Sequence, residues 1–218
     1  MTRFKKMRLK MVQDQIKKRG ITNTRVLDAF KKVPREAFVP PEEQNQAYGD
    51  HPLPIGEGQT ISQPYIVALM TDALDIREED IVLEIGTGSG YQAAILGELA
   101  RQVYSIERIP ALGEQARKAL EETGYNNVVV IIADGSSSTG LKQIDPPRQF
   151  DKIIVTAAAP TIPESLIKHL TVGGKMVIPV GSLHTQDLVL VTKKEGDPYD
   201  KLSLGGCRFV PLKGTEGF

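Results

Sequence analysis

The sequence predicts an α/β fold with a doubly wound, mostly parallel sheet and extra helices at the N-terminus. Three observations carry this. First, from residue 81 onward short apolar runs alternate with amphipathic segments: 81–85, 103–107, 128–132, 152–156 and 175–180 read as strands, and 92–100, 110–122 and 161–169 as helices. Second, runs such as Val128-Val-Val-Ile-Ile132 are apolar throughout, so both faces of the sheet must be covered. Third, Ile81-Val-Leu-Glu-Ile85 breaks on Gly86, Gly88 and Gly90 into an apolar helical pattern (Ala93, Ala94, Leu96, Leu99). Glycine lets another molecule approach the backbone, so a strand that breaks on glycines into a helix start is a ligand-binding turn.

The remaining elements follow in chain order. Residues 3–19 hold eight basic residues and one acid, Asp14, with Met7, Met11 and Ile16 at roughly helical spacing. A solvated helix packed by its apolar side fits this, and a membrane or RNA surface is the sharper alternative. Residues 22–33 read as a second helix, with Val26, Leu27, Phe30 and Val33 on one face, ended by Pro34. From Pro34 to Pro64 the chain carries six of its 14 prolines and three glycines, which reads as a long ordered loop. Pro64 opens a helix to about Leu74. At the other end, 187–192 and 202–210 are strand-like, and Gly196, Asp197 and Pro198 place a hairpin or long turn between them at the sheet edge. The expectation is one domain over 1–218, with helices and loop in 1–75 and the core in 76–218.

Composition sets bounds. The 27 basic and 27 acidic residues cancel, so no electrostatic footprint for nucleic acid is present. Cys207 is the single cysteine, which excludes an intrachain disulfide. No apolar run reaches the roughly 18 residues of a membrane span. The basic N-terminus has no apolar stretch of the secretory kind, and a cytoplasmic protein is expected.

The ligand class comes from the turn. The pattern is E-x-G-x-G-x-G, with Tyr91 where a dinucleotide fingerprint has its third glycine. No Lys-Ser or Lys-Thr ending is present, which excludes a P-loop. The second strand ends on Glu107, 21 residues after Gly86, where a carboxylate takes ribose hydroxyls. Glu84 places a negative charge beside the turn, which suits a cationic ligand better than a pyrophosphate. S-adenosylmethionine has the ribose, the base and the cationic end without a phosphate.

Ligands bind outside the carboxyl ends of such strands, at the switch point. That gathers Gly86–Gly90, Glu107, Asp134-Gly135 and Thr156-Ala-Ala-Ala-Pro160 around one cleft. Asp134 reads either as an acceptor for an adenine amino group or as an ordinary Asp-Gly turn residue. Asp145-Pro-Pro-Arg148 looks like a motif that holds planar bases, but it precedes its strand and has no stacking aromatic, so it reads as a loop. His51, His169 and His184 are scattered without metal spacing, and no metal site is expected. In Gly56-Glu-Gly-Gln-Thr-Ile-Ser-Gln-Pro64, Thr60 and Ser62 precede a helix start; they either cap the helix or hold a substrate carboxylate.

These motifs together resemble the protein-L-isoaspartate (D-aspartate) O-methyltransferase family. The residues that carry the resemblance are Gly58-Gln-Thr-Ile-Ser-Gln-Pro-Tyr-Ile-Val-Ala68 with Pro52-Leu-Pro-Ile-Gly56 upstream, and Val82-Leu-Glu-Ile-Gly-Thr-Gly-Ser-Gly-Tyr91. Ile106-Glu-Arg108, Ala133-Asp-Gly135, Ile154-Val-Thr-Ala157, Gly173-Gly-Lys175, Ile178-Pro-Val-Gly181 and Arg208-Phe-Val-Pro-Leu212 complete it. The resemblance implies a Rossmann-like class I methyltransferase fold and transfer of a methyl group from S-adenosylmethionine, leaving S-adenosylhomocysteine. The acceptor it implies is the free α-carboxylate of isoaspartyl residues, with D-aspartyl residues, through their free carboxylate, as the further acceptor, in damaged proteins and peptides, with neither nucleic acid nor membrane as partner. It implies Ser62 as the catalytic residue, with Thr60 and Val210 against the substrate. For the cofactor it implies Gln59, Glu84, Gly86, Thr87, Gly88, Gly90, Glu107, Arg108, Asp134 and Gly135. Tyr65 departs from the histidine of some relatives. A small-molecule or RNA methyltransferase, and a scaffold without catalysis, are the competing readings of the same residues.

Overall fold

The computed structural model describes residues 2–144, 148–196 and 199–218. The N-terminal region holds α1 (Arg3–Met11), continued by a π-helical stretch over Val12–Ile16 and a 3₁₀ turn over Lys17–Arg19 that ends on Gly20. Met11, Val12 and Ile16 are buried, while the basic residues face outward or toward the next helix. α2 (Thr24–Lys32) is capped by the Asn23 side chain and ends ahead of Pro34. The loop from Pro34 to Pro64 contains a small hairpin that its prolines conceal: β1 (Leu53–Gly56) pairs antiparallel with β2 (Gln59–Ile61). The hairpin turns through positive φ at Gly56, Glu57 and Gly58. α3 (Pro64–Leu74) follows, with proline at its first position.

The core alternates as its apolar pattern requires: β3 (Ile81–Ile85), α4 (Tyr91–Gly97), β4 (Gln102–Glu107), α5 (Pro110–Glu122), β5 (Val128–Ile132), α6 (Ser138–Leu141), β6 (Phe150–Val155), α7 (Glu164–His169), β7 (Leu170–Gly181), β8 (Gln186–Thr192) and β9 (Asp200–Cys207). The seven-stranded sheet has the order β5-β4-β3-β6-β7-β8-β9. Neighbours from β5 to β7 are parallel, and β8 and β9 add antiparallel at the edge. Each side of the sheet has its own core. Val82, Val103, Ile154 and Val177 belong to one, and Leu83, Ile85, Ile153 and Val155 to the other.

Besides the hairpin, α6 is unexpected, and β9 ends at Cys207 and not at 210. β7 begins at Leu170 and not at 175, because its pairing with β6 jumps from Phe150–Leu170 to Lys152–Lys175. The extra residues bulge through Gly173 at φ +78°, so glycines that read as a turn interrupt a continuing strand. α7 begins only after Pro163. Asp197 and Pro198, read as part of the edge turn, lie outside the described residues.

The chain order reverses at β3, which has β4 on one side and β6 on the other. That switch point places the carboxyl ends of β3, β4 and β6 around one opening. After β9 the chain returns to this opening. Ala158 donates to the Val210 carbonyl (2.8 Å), and Leu212 donates to the Ala158 carbonyl (2.7 Å).

Candidate active site

The glycine turn is shaped by contacts that only glycine permits. Gly86 sits at φ +94°, and a Cβ there would lie 2.4 Å from Thr156 Oγ1, whose hydroxyl donates to the Gly86 carbonyl. Gly88 is at φ +51°; a Cβ there would meet only Ile55 Cδ1 at 3.4 Å, so its outer side is open to a ligand. Gly90, at φ +87°, starts α4 and faces Ala116 and Leu120 of α5. It closes helix packing and does not line the cleft. The Thr87 hydroxyl lies 2.5 Å from that of Ser105.

Glu107 ends β4 as expected, and it is already at work in the protein. One carboxylate oxygen accepts from Gly88 N–H and the other from Ile109 N–H, both at 2.9 Å. Two further lone-pair directions remain for outside donors. Glu84 is different. It is fully buried on β3; Ser105 donates to one oxygen and the other has no partner. Burial drives its pKa up to about 8, the Ser105 hydrogen bond opposing and the Glu107 charge adding to the rise. Glu84 is therefore largely neutral at pH 7. This corrects the sequence reading of a negative charge beside the turn, since the pattern had no means of showing the burial.

Asp134 is not part of the cleft wall, and its oxygens are engaged within the chain. Its Oδ1 accepts from the Ser136 amide and hydroxyl, and its Oδ2 from the Thr215 amide and hydroxyl. Burial raises its pKa, but these hydrogen bonds outweigh it and hold the carboxyl below its ordinary value. Gly135 beside it does line the cleft.

The cleft is open to solvent along one side. It brings together Gln59, Thr60, Ser62, Gly86, Thr87, Gly88, Glu107, Arg108, Gly135 and Val210 from the sequence-derived set, and leaves Glu84, Gly90 and Asp134 outside its wall. Ser62 does not cap α3. The cap position is Gln63, without a side-chain hydrogen bond, and the Ser62 hydroxyl is unengaged by the described residues. Thr60 is exposed on β2 at the cleft edge.

Thr156, which the sequence places at the cleft, braces the turn. Sequence reasoning missed two contributors. Tyr91 lines the cleft from the start of α4, packed edge-on against Phe30 and Phe38. Arg35, fully buried, donates to the Ser62 carbonyl at 2.7 Å. Its flanking proline and glutamate gave no hint of burial. The histidines stay outside the cleft wall. Arg148 stacks over Tyr104, and the rest of its motif, 145–147, lies outside the described residues.

A family model described as protein-L-isoaspartate (D-aspartate) O-methyltransferase matches residues 6–217. The chain belongs to this family. A protein-L-isoaspartate O-methyltransferase of Syntrophus aciditrophicus is 55% identical over 220 residues, covering 100% of this chain and 99% of the relative. One of Methanoculleus marisnigri is 51% identical, covering 97% and 93%. A solved protein-L-isoaspartate O-methyltransferase superposes with a TM-score of 0.84 at 28% identity, covering 96% of this chain and 67% of its own. A Plasmodium falciparum structure ascribed to the same family, in complex with S-adenosyl-L-homocysteine, gives 0.81 at 24% identity, covering 94% and 98%; at that identity it speaks for the fold. In this chain the glycine turn and the loop around Ser62 meet in the cleft.

Proposed function

We infer that this chain is a protein repair enzyme that methylates the free α-carboxylate of L-isoaspartyl residues, and the free side-chain carboxylate of D-aspartyl residues, using S-adenosylmethionine. The observation that carries the reading is the convergence of the loop Gln59–Ser62 with the turn Gly86–Gly88 in one cleft. In this reading the whole of 1–218 is one methyltransferase domain, with 1–75 supplying helices and substrate loop and 76–218 the cofactor core.

The donor set fits the cofactor. Glu107 has acceptor capacity left for ribose hydroxyls, Gly88 leaves open space for close approach, and Ile106, Ile109 and Leu112 supply apolar wall for a planar base. The cofactor, when bound, supplies an electrophilic methyl group. Gln59, Thr87, Arg108 and Gly135 lie along the same wall. Glu84, Gly90 and Asp134 act from behind it, by shaping the turn and its flank.

The acceptor needs no general base. A carboxylate with a pKa of about 4 is already ionised at neutral pH. What the chain must supply is orientation, worth roughly 7–11 kcal/mol when the geometry is good. The Ser62 hydroxyl is free to donate to the carboxylate and aim it. A neutral donor leaves the carboxylate more nucleophilic than a direct ion pair would. Val210 lines the cleft with its carbonyl taken by Ala158, which leaves its amide as the main-chain group to offer a substrate backbone.

Isoaspartyl proteins and peptides are the partners. Among the described residues no helix is long and apolar enough to cross a membrane. A cytoplasmic setting belongs to the same reading, supported by the single cysteine, and the cancelling charges support the exclusion of nucleic acid. The test is methyl transfer from labelled S-adenosylmethionine to an isoaspartyl peptide, followed by mild base. A carboxyl ester releases its label as methanol. Label that survives base would place the methyl on nitrogen and overturn the reading.

A further inference from the structure

We propose that Arg35 is a positioning residue for the methyl acceptor, acting through the main chain of Ser62. The proposal rests on the reading of Ser62 as the residue that orients the substrate carboxylate. Arg35 is fully buried, and its Nη2 donates to the Ser62 carbonyl at 2.7 Å. Its Nε donates to the Ala47 carbonyl at 2.7 Å, which ties it to the segment ahead of the β1–β2 hairpin. Its guanidinium carbon lies 4.8 Å from the centre of the Tyr91 ring, at the start of the helix that follows the glycine turn. One side chain therefore joins the substrate loop, the loop that precedes it and the cofactor-side helix.

The chemistry is unusual for a purely structural part. A buried cation is normally matched by a carboxylate, because desolvation is costly. Arg35 has carbonyls and a ring face around it, and Nη1 is buried without a partner, as is the Tyr91 hydroxyl. Burial lowers its pKa to about 10, so it remains charged at neutral pH. A planar fork fixes two carbonyls at set angles, which an ammonium does not. The fork pins the peptide group of Ser62, while its hydroxyl stays unengaged and free to turn to a ligand. The charge also lies against the main chain of the residue at which the acceptor carboxylate is read to bind. It favours an anion there without gripping the oxygens, which would blunt their nucleophilicity.

The test compares Arg35→Lys and Arg35→Gln with Ser62→Ala and with the Arg35→Lys/Ser62→Ala double variant. For an isoaspartyl peptide, kcat/KM falls at least tenfold in Arg35→Gln and less in Arg35→Lys. The cofactor KM stays within twofold of the parent in both. In the Ser62→Ala background, Arg35→Lys costs threefold or less, since its route of action is already gone. Peptide and cofactor constants that worsen in parallel, or full additivity in the double variant, would overturn the proposal and leave Arg35 a structural brace. A Ser62→Ala enzyme with parent activity would instead defeat the Ser62 reading, whatever Arg35 does. Should the Arg35 variants fail to fold, nitrogen-15 arginine spectra of the parent protein decide. The slowly exchanging guanidinium signals of its one fully buried arginine shift when the isoaspartyl peptide binds and stay put with a peptide of the same sequence that carries a normal aspartyl residue. Signals indifferent to both peptides would overturn the proposal.

Discussion

Replacing Glu84 by glutamine should flatten the pH dependence of folding stability between about pH 5 and pH 8. The carboxyl has an ordinary pKa of 4.5 in the unfolded chain, and burial raises it to about 8 in the folded one. Between those values the folded chain holds a proton that the unfolded chain has released, so stability falls as pH rises. The contribution is complete below about pH 4.5 and gone above about pH 8. A gap of this size corresponds to roughly 3–5 kcal/mol. Full burial leaves no solvent screening to discount, and total stabilities are about 5–15 kcal/mol, so the effect is large enough to measure. Glutamine keeps an acceptor for the Ser105 hydroxyl and cannot ionise. The assay is urea unfolding followed by circular dichroism at half-unit steps from pH 5 to 8.5. The parent should lose several kcal/mol across that range relative to Glu84→Gln. Equal slopes for the two proteins would show that Glu84 does not titrate there and would refute the assignment of a neutral buried acid beneath the turn.

Three further expectations follow from the same geometry. Glu107→Gln loses one of two charge-assisted bonds to Gly88 and Ile109, so the protein without cofactor should lose about 1.5–3 kcal/mol and cofactor affinity should fall as well; unchanged melting and unchanged calorimetric affinity would contradict both roles. Ser62→Ala should bind cofactor normally, melt within about 1 kcal/mol of the parent because no helix cap is lost, and turn over slowly in single-turnover assays, with Ser62→Thr retaining more activity. A covalent methyl-serine would overturn direct transfer. Gly86→Ala forces a Cβ to 2.4 Å from Thr156 Oγ1 at a positive φ, so it should destabilise by more than about 1 kcal/mol and weaken cofactor binding; pairing it with Thr156→Ala should recover part of the loss, and no recovery would show that the clash is not with Thr156.

The parallel strands were legible because continuous apolar runs favour a sheet covered on both faces, although the most apolar run, 128–132, is the edge strand β5, where only Val130 is buried and Val129 is exposed. The glycine turn was legible because positive φ and close contact leave few other residues possible. Other features were hidden for physical reasons. Prolines at 52 and 54 disguised the β1–β2 hairpin, since Pro54 sits on an edge where no donor is needed. Gly173 and Gly174 read as a turn because a bulge and a turn use the same residues. In the site, Glu84 was singled out by position, but its protonation depends on burial, which the pattern does not report. Arg35 lies between a proline and a glutamate like any surface arginine, and only the folded chain brings it to Ser62. Asp134 sat in the right register, yet its hydrogen bonds to Thr215 come from the far end of the chain.

The central claim is tested most directly by a single comparison of acceptors. The enzyme is given labelled S-adenosylmethionine with an isoaspartyl peptide and with its normal aspartyl twin, identical in composition and differing only in which carboxyl is free. The account predicts base-labile methyl ester on the isoaspartyl peptide and essentially none on the twin. Equal labelling of the two, or labelling of neither by a folded protein that binds S-adenosylhomocysteine, would contradict it.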